Sequence, residues 1–192
     1  MIDNAPKVLI ACPTAKVKDY CLDDYLNNIE SFTYPKSRRQ LYMCDNSADN
    51  SYYKFLKKRG IQCDYVKFKN RGIIQRMAQS HNWCRDHAIR FGFDYMLHLE
   101  CDVFPPVDII ERLLMHRKDV VAAMYANFEN HLRRIIVMVK EPTDTEHFVN
   151  TFYATDVNLE TTYLDGTLKP VFHAGLGCCL ISRKVLEKIP FR

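Results

Sequence analysis

The residues best suited to chemistry lie close together: His98, Glu100 and Asp102 alternate with Leu97, Leu99 and Cys101 in the run Tyr-Met-Leu-His-Leu-Glu-Cys-Asp-Val-Phe-Pro-Pro at 95–106. A two-residue period is that of a strand, so the acids and the histidine are expected on one face, up to a stop at the prolines. Ionised carboxylates are costly to bury unless a cation or hydrogen-bond donors compensate. An acid pair ending an apolar strand therefore suits a divalent metal or a catalytic role, while a solvated strand end accounts for the same residues. His98 is open to two readings, ligand or satisfied core histidine.

The elements that must position these acids read as an alternation of strands and helices. Residues 7–15 form a continuous apolar run ended by Pro13, as in a central strand buried on both faces. Leu22, Tyr25, Leu26, Ile29 and Phe32 then recur at helical spacing, with Asp19 placed to cap the helix and Tyr34-Pro35 to stop it. A second strand at 40–44 runs into the turn-forming cluster Asp45-Asn-Ser-Ala-Asp-Asn-Ser, and a helix at 52–58 ends at Gly60. A third strand is expected at 61–68. The helix of 73–91 carries Ile73, Met77, Ser80, Cys84, Ala88 and Phe91 on one stripe.

The acid-bearing strand is the fourth, followed by a helix at 107–116 and a buried strand at 120–125. Such alternation gives an α/β fold with a mainly parallel sheet flanked by helices, whose ligands sit at the carboxyl ends of the strands. Residues 127–170 break the rhythm. Their β-like runs at 134–139, 148–154 and around 161–164, with an Asp165-Gly166 turn, predict a small lobe built on the sheet, too short for a core of its own. The chain returns as a strand at 170–182, in which Gly175 and Gly177 let backbone approach something closely, and a helix at 183–188.

The 192 residues fit one domain, and 47% apolar with 26% charged is the composition of an ordinary globular protein. Twenty-seven basic residues against 23 acidic ones give +4, too weak a balance for a nucleic-acid footprint. The clusters Lys36, Arg38, Arg39 and Lys57, Lys58, Arg59 read as solvated faces. Eight cysteines lie inside apolar runs without zinc spacing and are expected as reduced, buried hydrophobes. No basic segment followed by an apolar one opens the chain, and no apolar run approaches ~20 residues, so a cytoplasmic protein without a transmembrane segment is expected.

In this order, the opening strand 8–13, the second strand ending in Asp45-Asn46-Ser47, the helix bearing Asn82, Glu100-Cys101-Asp102, and Gly-Leu-Gly-Cys-Cys-Leu-Ile-Ser-Arg-Lys-Val-Leu at 175–186 resemble the GT-A glycosyltransferases, family 2 type. The resemblance covers nearly the whole chain. It implies a nucleotide-diphospho-sugar transferase fold in one domain, with a nucleotide-binding half at 1–126 and an acceptor-side half at 127–192 that ends early. It implies a DXD-like motif at Glu100 and Asp102, with Asp102 holding Mn or Mg across the diphosphate and Glu100 facing the ribose or metal. Pro13 and Thr14 would line the nucleotide pocket, Asp45 would contact the base or ribose, and Arg71 and Arg76 would neighbour the base or diphosphate. Gly175 and Gly177 would belong to the acceptor wall, and His173 is a possible third metal ligand. The alternatives are Asp45 as an Asx turn, the arginines as surface residues, and His173 as an acceptor-site residue or a packed strand residue.

The activity so implied is transfer of a sugar from a UDP- or GDP-sugar to an acceptor hydroxyl, with inversion. The acceptor, whether glycan, lipid-linked sugar, protein or modified base, is not legible. The family's base is an acid beyond the late strand and helix, where this sequence stops at Arg192. Asp165, then Asp156 or Glu160, are the substitutes within the lobe. Two alternatives are a sugar-nucleotide-binding module without turnover and a nucleotidyltransferase. The latter is disfavoured because Ala-Cys-Pro-Thr-Ala-Lys at 11–16 is not a Gly-rich phosphate loop.

Overall fold

A computed structural model describes residues 4–68, 72–129, 132–135, 137–138, 152–153, 167–168, 170–171 and 173–192. Of the expected site residues, Arg71, Asp156, Glu160 and Asp165 lie outside these, as does the run at 161–164.

The strands β1 (Val8–Thr14), β2 (Arg39–Asp45), β3 (Cys63–Tyr65), β4 (Tyr95–Leu99), β5 (Val120–Ala122) and β11 (Cys178–Ser182) form one sheet in the order β3-β2-β1-β4-β11-β5. The first four strands are mutually parallel, and β11 runs antiparallel between β4 and β5. Between β5 and β11 the chain forms β6 (Ala126–Glu129), β7 (Leu132–Ile135) and β9 (Phe152–Tyr153) in one small antiparallel sheet, and β8 (Val137–Met138) with β10 (His173–Ala174) in another. The fold is mixed α/β with a mostly parallel six-stranded sheet, and short strands run through the described residues of the excursion after β5.

Each residue of β1 from Val8 to Cys12 serves one of two apolar layers. Val8, Ile10 and Cys12 join Leu22, Tyr25 and Ile29 of helix α1 (Leu22–Glu30), Leu56 of α2 (Ser51–Lys58) and Ile110 of α4 (Ile109–Met115). Leu9 and Ala11 join Cys84 and Ala88 of α3 (Ile73–Arg90) and Leu186 of α5 (Arg183–Leu186) on the other face. Burying each such aliphatic side chain contributes ~1.5–3 kcal/mol, which is why a strand with no polar alternation sits at the centre. The Tyr25 hydroxyl donates to the Leu99 carbonyl at 3.1 Å, fixing α1 to the end of β4.

Several boundaries differ from the sequence expectation. Asp19 does not cap α1: it lies within a 3-10 turn (Lys16–Cys21), and α1 starts after Cys21 with no side-chain cap. The third strand shortens to Cys63–Tyr65 and the fifth to Val120–Ala122. The strand expected at 170–182 is broken at 175–177, so β10 and β11 enter different sheets. On α3, Ser80, Cys84 and Ala88 are buried, whereas Ile73, Met77 and Phe91 at the ends of the stripe are exposed. Gly60 and Gly92 have φ of 75° and 73°, the left-handed conformation that lets α2 and α3 stop there. Arg39 is no solvated charge: its guanidinium donates to the carbonyls of Ile29, Glu30, Phe32 and Tyr34, closing the carboxyl end of α1. All eight cysteines are free and buried. Among the described residues no helix is long and apolar enough to cross a membrane.

Candidate active site

The ladder between β1 and β4 runs from Val8↔Tyr95 to Ala11↔His98 and stops, whereas β1 stays paired with β2 up to Thr14↔Asp45. The sheet therefore opens between β1 and β4 at their carboxyl ends. Strands β2 and β3 lie to one side of β1 and β4 to the other, so the direction of winding switches at this gap. In open α/β sheets that is where ligands bind.

Asp45 ends β2 fully buried. Its Oδ1 accepts from the Ser47 amide at 2.9 Å and the Ser47 hydroxyl at 2.5 Å, so the Asx turn forms, but Oδ2 has no partner. Burial pushes this carboxyl up from its ordinary pKa, and the Ser47 bonds oppose the shift. Next to it, Asn46 donates from Nδ2 to the buried Ser80 hydroxyl at 2.9 Å, tying α3 to the end of β2. Thr14, at the end of β1, is also buried with its hydroxyl unpaired, beside half-buried Pro13.

The acid pair does not continue the strand. After Leu99 the Glu100 amide donates to the Gly177 carbonyl at 2.9 Å and the Val103 amide to the Glu100 carbonyl at 3.1 Å, which turns the chain, so the two-residue period stops before the acids. Asp102 Oδ2 is held by the Lys18 ammonium and by the Tyr20 hydroxyl at 3.3 Å, while Oδ1 is buried without a partner. The Lys18 and Asp102 side chains are 38% and 31% exposed, a regime in which an ion pair contributes ~1 kcal/mol or less. Glu100 is half-buried, and burial followed by the Asp102 charge pushes its carboxyl upward.

The ends of β1 and β2 and the turn after β4 thus each present a buried oxygen without a well-formed hydrogen bond to the protein: Thr14 Oγ1, with the Tyr52 hydroxyl beside it, Asp45 Oδ2 and Asp102 Oδ1. Native proteins pair about 90% or more of such groups, and an orphan costs ~1–3 kcal/mol. The other unpaired buried side-chain atoms among the described residues lie on helices or, for His98 Nε2, in the core. By contrast, a depression of about 500 Å³ at the opposite end of the sheet, lined by Asn4, Asp94, Asp119 and Ser182 among others, contains none of the expected site residues.

Residues 175–177 are keyed to the acids. His98 is fully buried and its Nδ1 donates to the Leu176 carbonyl at 2.6 Å, so it serves as a core histidine. Its ring meets that of His81 edge-on at 4.6 Å, and burial lowers their pKa values to about 3 and about 4. The Gly177 amide donates to the Tyr125 hydroxyl at 2.9 Å. A Cβ on Gly177 would stand 2.3 Å from Tyr125 Cζ, and one on Gly175 2.5 Å from its hydroxyl oxygen, so Tyr125 is what the glycines admit.

The structure thus brings together Pro13, Thr14, Asp45, Glu100, Asp102 and Gly177 at one edge of the sheet. Arg76 is exposed on α3, and His173 contributes backbone to β10 while its side chain is not described. Lys18, Tyr20 and Tyr125 escaped the sequence reading. A basic residue just after the central strand was a signal for Lys18; nothing local announces Tyr125, whose partner is 52 residues away. The orphaned Asp102 oxygen fits a divalent ion. Among the described residues no set of three His, Cys, Asp or Glu side chains stands together there.

A mannosyltransferase from Pyrobaculum calidifontis, solved with GDP-Man and Mn2+, superposes with a TM-score of 0.55 over 97% of this chain and 47% of its own, at 15% identity. The fold is GT-A-like. Within the GT-A-like set stands also CMP:2-keto-3-deoxy-manno-octonic acid synthetase with CTP, at a TM-score of 0.54 and 14% identity over 94% of this chain and 76% of its own. S. aureus TarS 1–349 with UDP matches at 0.46 and 13% identity, over 75% of this chain and 38% of its own. This GT-A-like chain therefore spans under half the length of the mannosyltransferase and TarS chains. No protein-family model and no curated protein sequence matches it.

Proposed function

We propose that the chain is a metal-dependent glycosyltransferase that moves a sugar from a UDP- or GDP-sugar to an acceptor hydroxyl with inversion. The observation that carries this reading is the row of unpaired buried oxygens on Thr14, Asp45 and Asp102 at the gap between β1 and β4. The ligand-bound mannosyltransferase of the same fold supports it.

In this reading Asp45 Oδ2 accepts from the base or ribose, its orientation fixed by Ser47. Asp102, with Glu100 beside it, holds Mn or Mg. Such an ion supplies charge stabilisation to the departing nucleoside diphosphate, more in the transition state than in the ground state. Pro13 and Thr14 wall the nucleotide, and the 175–177 segment, held by His98, Glu100 and Tyr125, faces the acceptor. An acid of the 127–170 segment, Asp165 first and Asp156 next, removes the acceptor proton.

The synthetase match, which covers more of its own chain than the mannosyltransferase match does, favours one other reading, a nucleotidyltransferase. Calorimetric titration with UDP- and GDP-sugars, with Mn2+ and with EDTA, separates the two when combined with product analysis. Metal-dependent donor binding with release of UDP or GDP is expected. Absence of metal-dependent binding to any donor sinks the proposal, and pyrophosphate release from a nucleoside triphosphate and a sugar acid or sugar phosphate replaces it with the second reading.

A further inference from the structure

Lys18 is unaccounted for by the roles above, yet it makes the closest charged contact in the site. Its ammonium pairs with Asp102 Oδ2, the Tyr20 hydroxyl reaches the same oxygen at 3.3 Å, and Oδ1 of that carboxylate is buried and unpaired. The turn that carries Lys18 is anchored at both site acids. At its start the Lys16 amide donates to the Ser47 hydroxyl at 2.8 Å, and Ser47 in turn bonds Asp45; further along, Lys18 and Tyr20 hold Asp102.

The Lys18 backbone is fully engaged inside this turn. Its amide donates to the Ala15 carbonyl at 2.8 Å, and its carbonyl accepts from the Cys21 thiol at 3.1 Å. The side chain alone is free to relocate, on a flexible four-carbon stem and 38% exposed. An ion binding Asp102 Oδ1 would share one carboxylate with an ammonium already on Oδ2. Even with Glu100 beside Asp102, at most two negative charges face three positive ones in a partly dehydrated site. Two or three negative charges from a diphosphate restore the balance, and the ammonium needs only to swing from carboxylate to phosphate.

Building on the donor-site reading, we propose that Lys18 is a positioning residue of that site: it neutralises Asp102, competes there with the divalent ion, and pairs with the donor diphosphate when the ion takes the carboxylate. The consequence is coupling. Metal and nucleotide each bind poorly alone, because each needs the other to resolve the charge around Asp102.

The test is Mn2+ binding followed by electron paramagnetic resonance for wild type, Lys18→Met, Lys18→Gln and Lys18→Arg, without nucleotide and with UDP or GDP. Two neutral replacements guard against a folding defect in one, which circular dichroism checks. Without nucleotide, both neutral variants should bind Mn2+ about tenfold or more tightly than wild type, a gain that a purely structural Lys18 would not produce, and Lys18→Arg should stay near wild type. With Mn2+ present, UDP or GDP should bind about tenfold or more weakly to the neutral variants. Equal Mn2+ affinity in wild type and the neutral variants, with nucleotide-dependent Mn2+ binding intact, overturns the role of Lys18 and leaves the donor site standing. Failure of every variant to bind Mn2+ with or without nucleotide overturns both.

Discussion

The two ends of the central sheet each carry a pair of aspartates, and they use them differently. At the opening end, Asp45 and Asp102 each leave a buried oxygen without a partner. At the other end, Asp94 and Asp119 are exposed and engaged: Asp94 accepts from the Lys7 amide at 2.7 Å, and Asp119 from the Ser182 hydroxyl at 3.0 Å and the Lys184 ammonium at 2.7 Å. The second end has a depression of about 500 Å³. Its acids, however, are served by the protein and by water, and nothing there demands a ligand. An unmet hydrogen-bonding demand in a buried place is more informative than space.

That contrast is breakable at several points. Asp102→Asn should weaken binding of UDP or GDP in the presence of Mn2+ by about 100-fold or more, with its melting temperature within a few degrees of wild type. Asp119→Asn should leave that binding unchanged; calorimetry reads both, and equal losses would erase the distinction between the two ends.

Gly177→Ala probes how tightly the opening end is built. Its new Cβ would stand 2.3 Å from Tyr125 Cζ, a ring that cannot bend out of the way, so a loss of about 2 kcal/mol in urea unfolding is expected. Adding Tyr125→Ala should recover part of that loss relative to Tyr125→Ala alone. No coupling in the double-mutant cycle would mean the glycine serves something else.

His81 lies under the opening end, edge-on to His98 and 5.2 Å from the Phe191 ring. Burial lowers its pKa to about 4, against about 6.5 in the unfolded chain. Between those values the unfolded state binds more protons, so stability falls as pH drops from 6.5 toward 4, by about 2 kcal/mol at pH 5. His98, lowered further, titrates over the same window, so His81→Phe should reduce but not abolish this slope in denaturant titrations, and an unchanged slope would assign it to other groups. Lys184→Ala breaks an exposed pair with Asp119 and should leave the urea unfolding midpoint nearly unchanged.

How much of this was legible in the sequence depended on the range of the interaction. Strands such as β1, with apolar residues serving both faces, and the helix spacing of α1 and α3 come from local pattern, so the order of elements and the carboxyl-end location of the acids could be read directly. Asp45 was legible as a turn former because its partner Ser47 is two residues away. The placement of β11 between β4 and β5, the Tyr125 ring against Gly177 and the His98 bond to Leu176 join residues tens of positions apart, and no local pattern encodes them. The alternation of acids at 98–102 misled for a local reason: the Val103 amide folds back onto the Glu100 carbonyl, and this turn ends β4 before the period is complete.

The most direct test of the donor site is paramagnetic broadening of backbone amides by Mn2+ with UDP or GDP. The account predicts that amides of Thr14, Lys18, Asp45, Ser47, Glu100, Asp102 and Gly177 broaden while those of Lys7, Asp94, Asp119 and Ser182 stay sharp. Broadening at the second set with the first unaffected would contradict it.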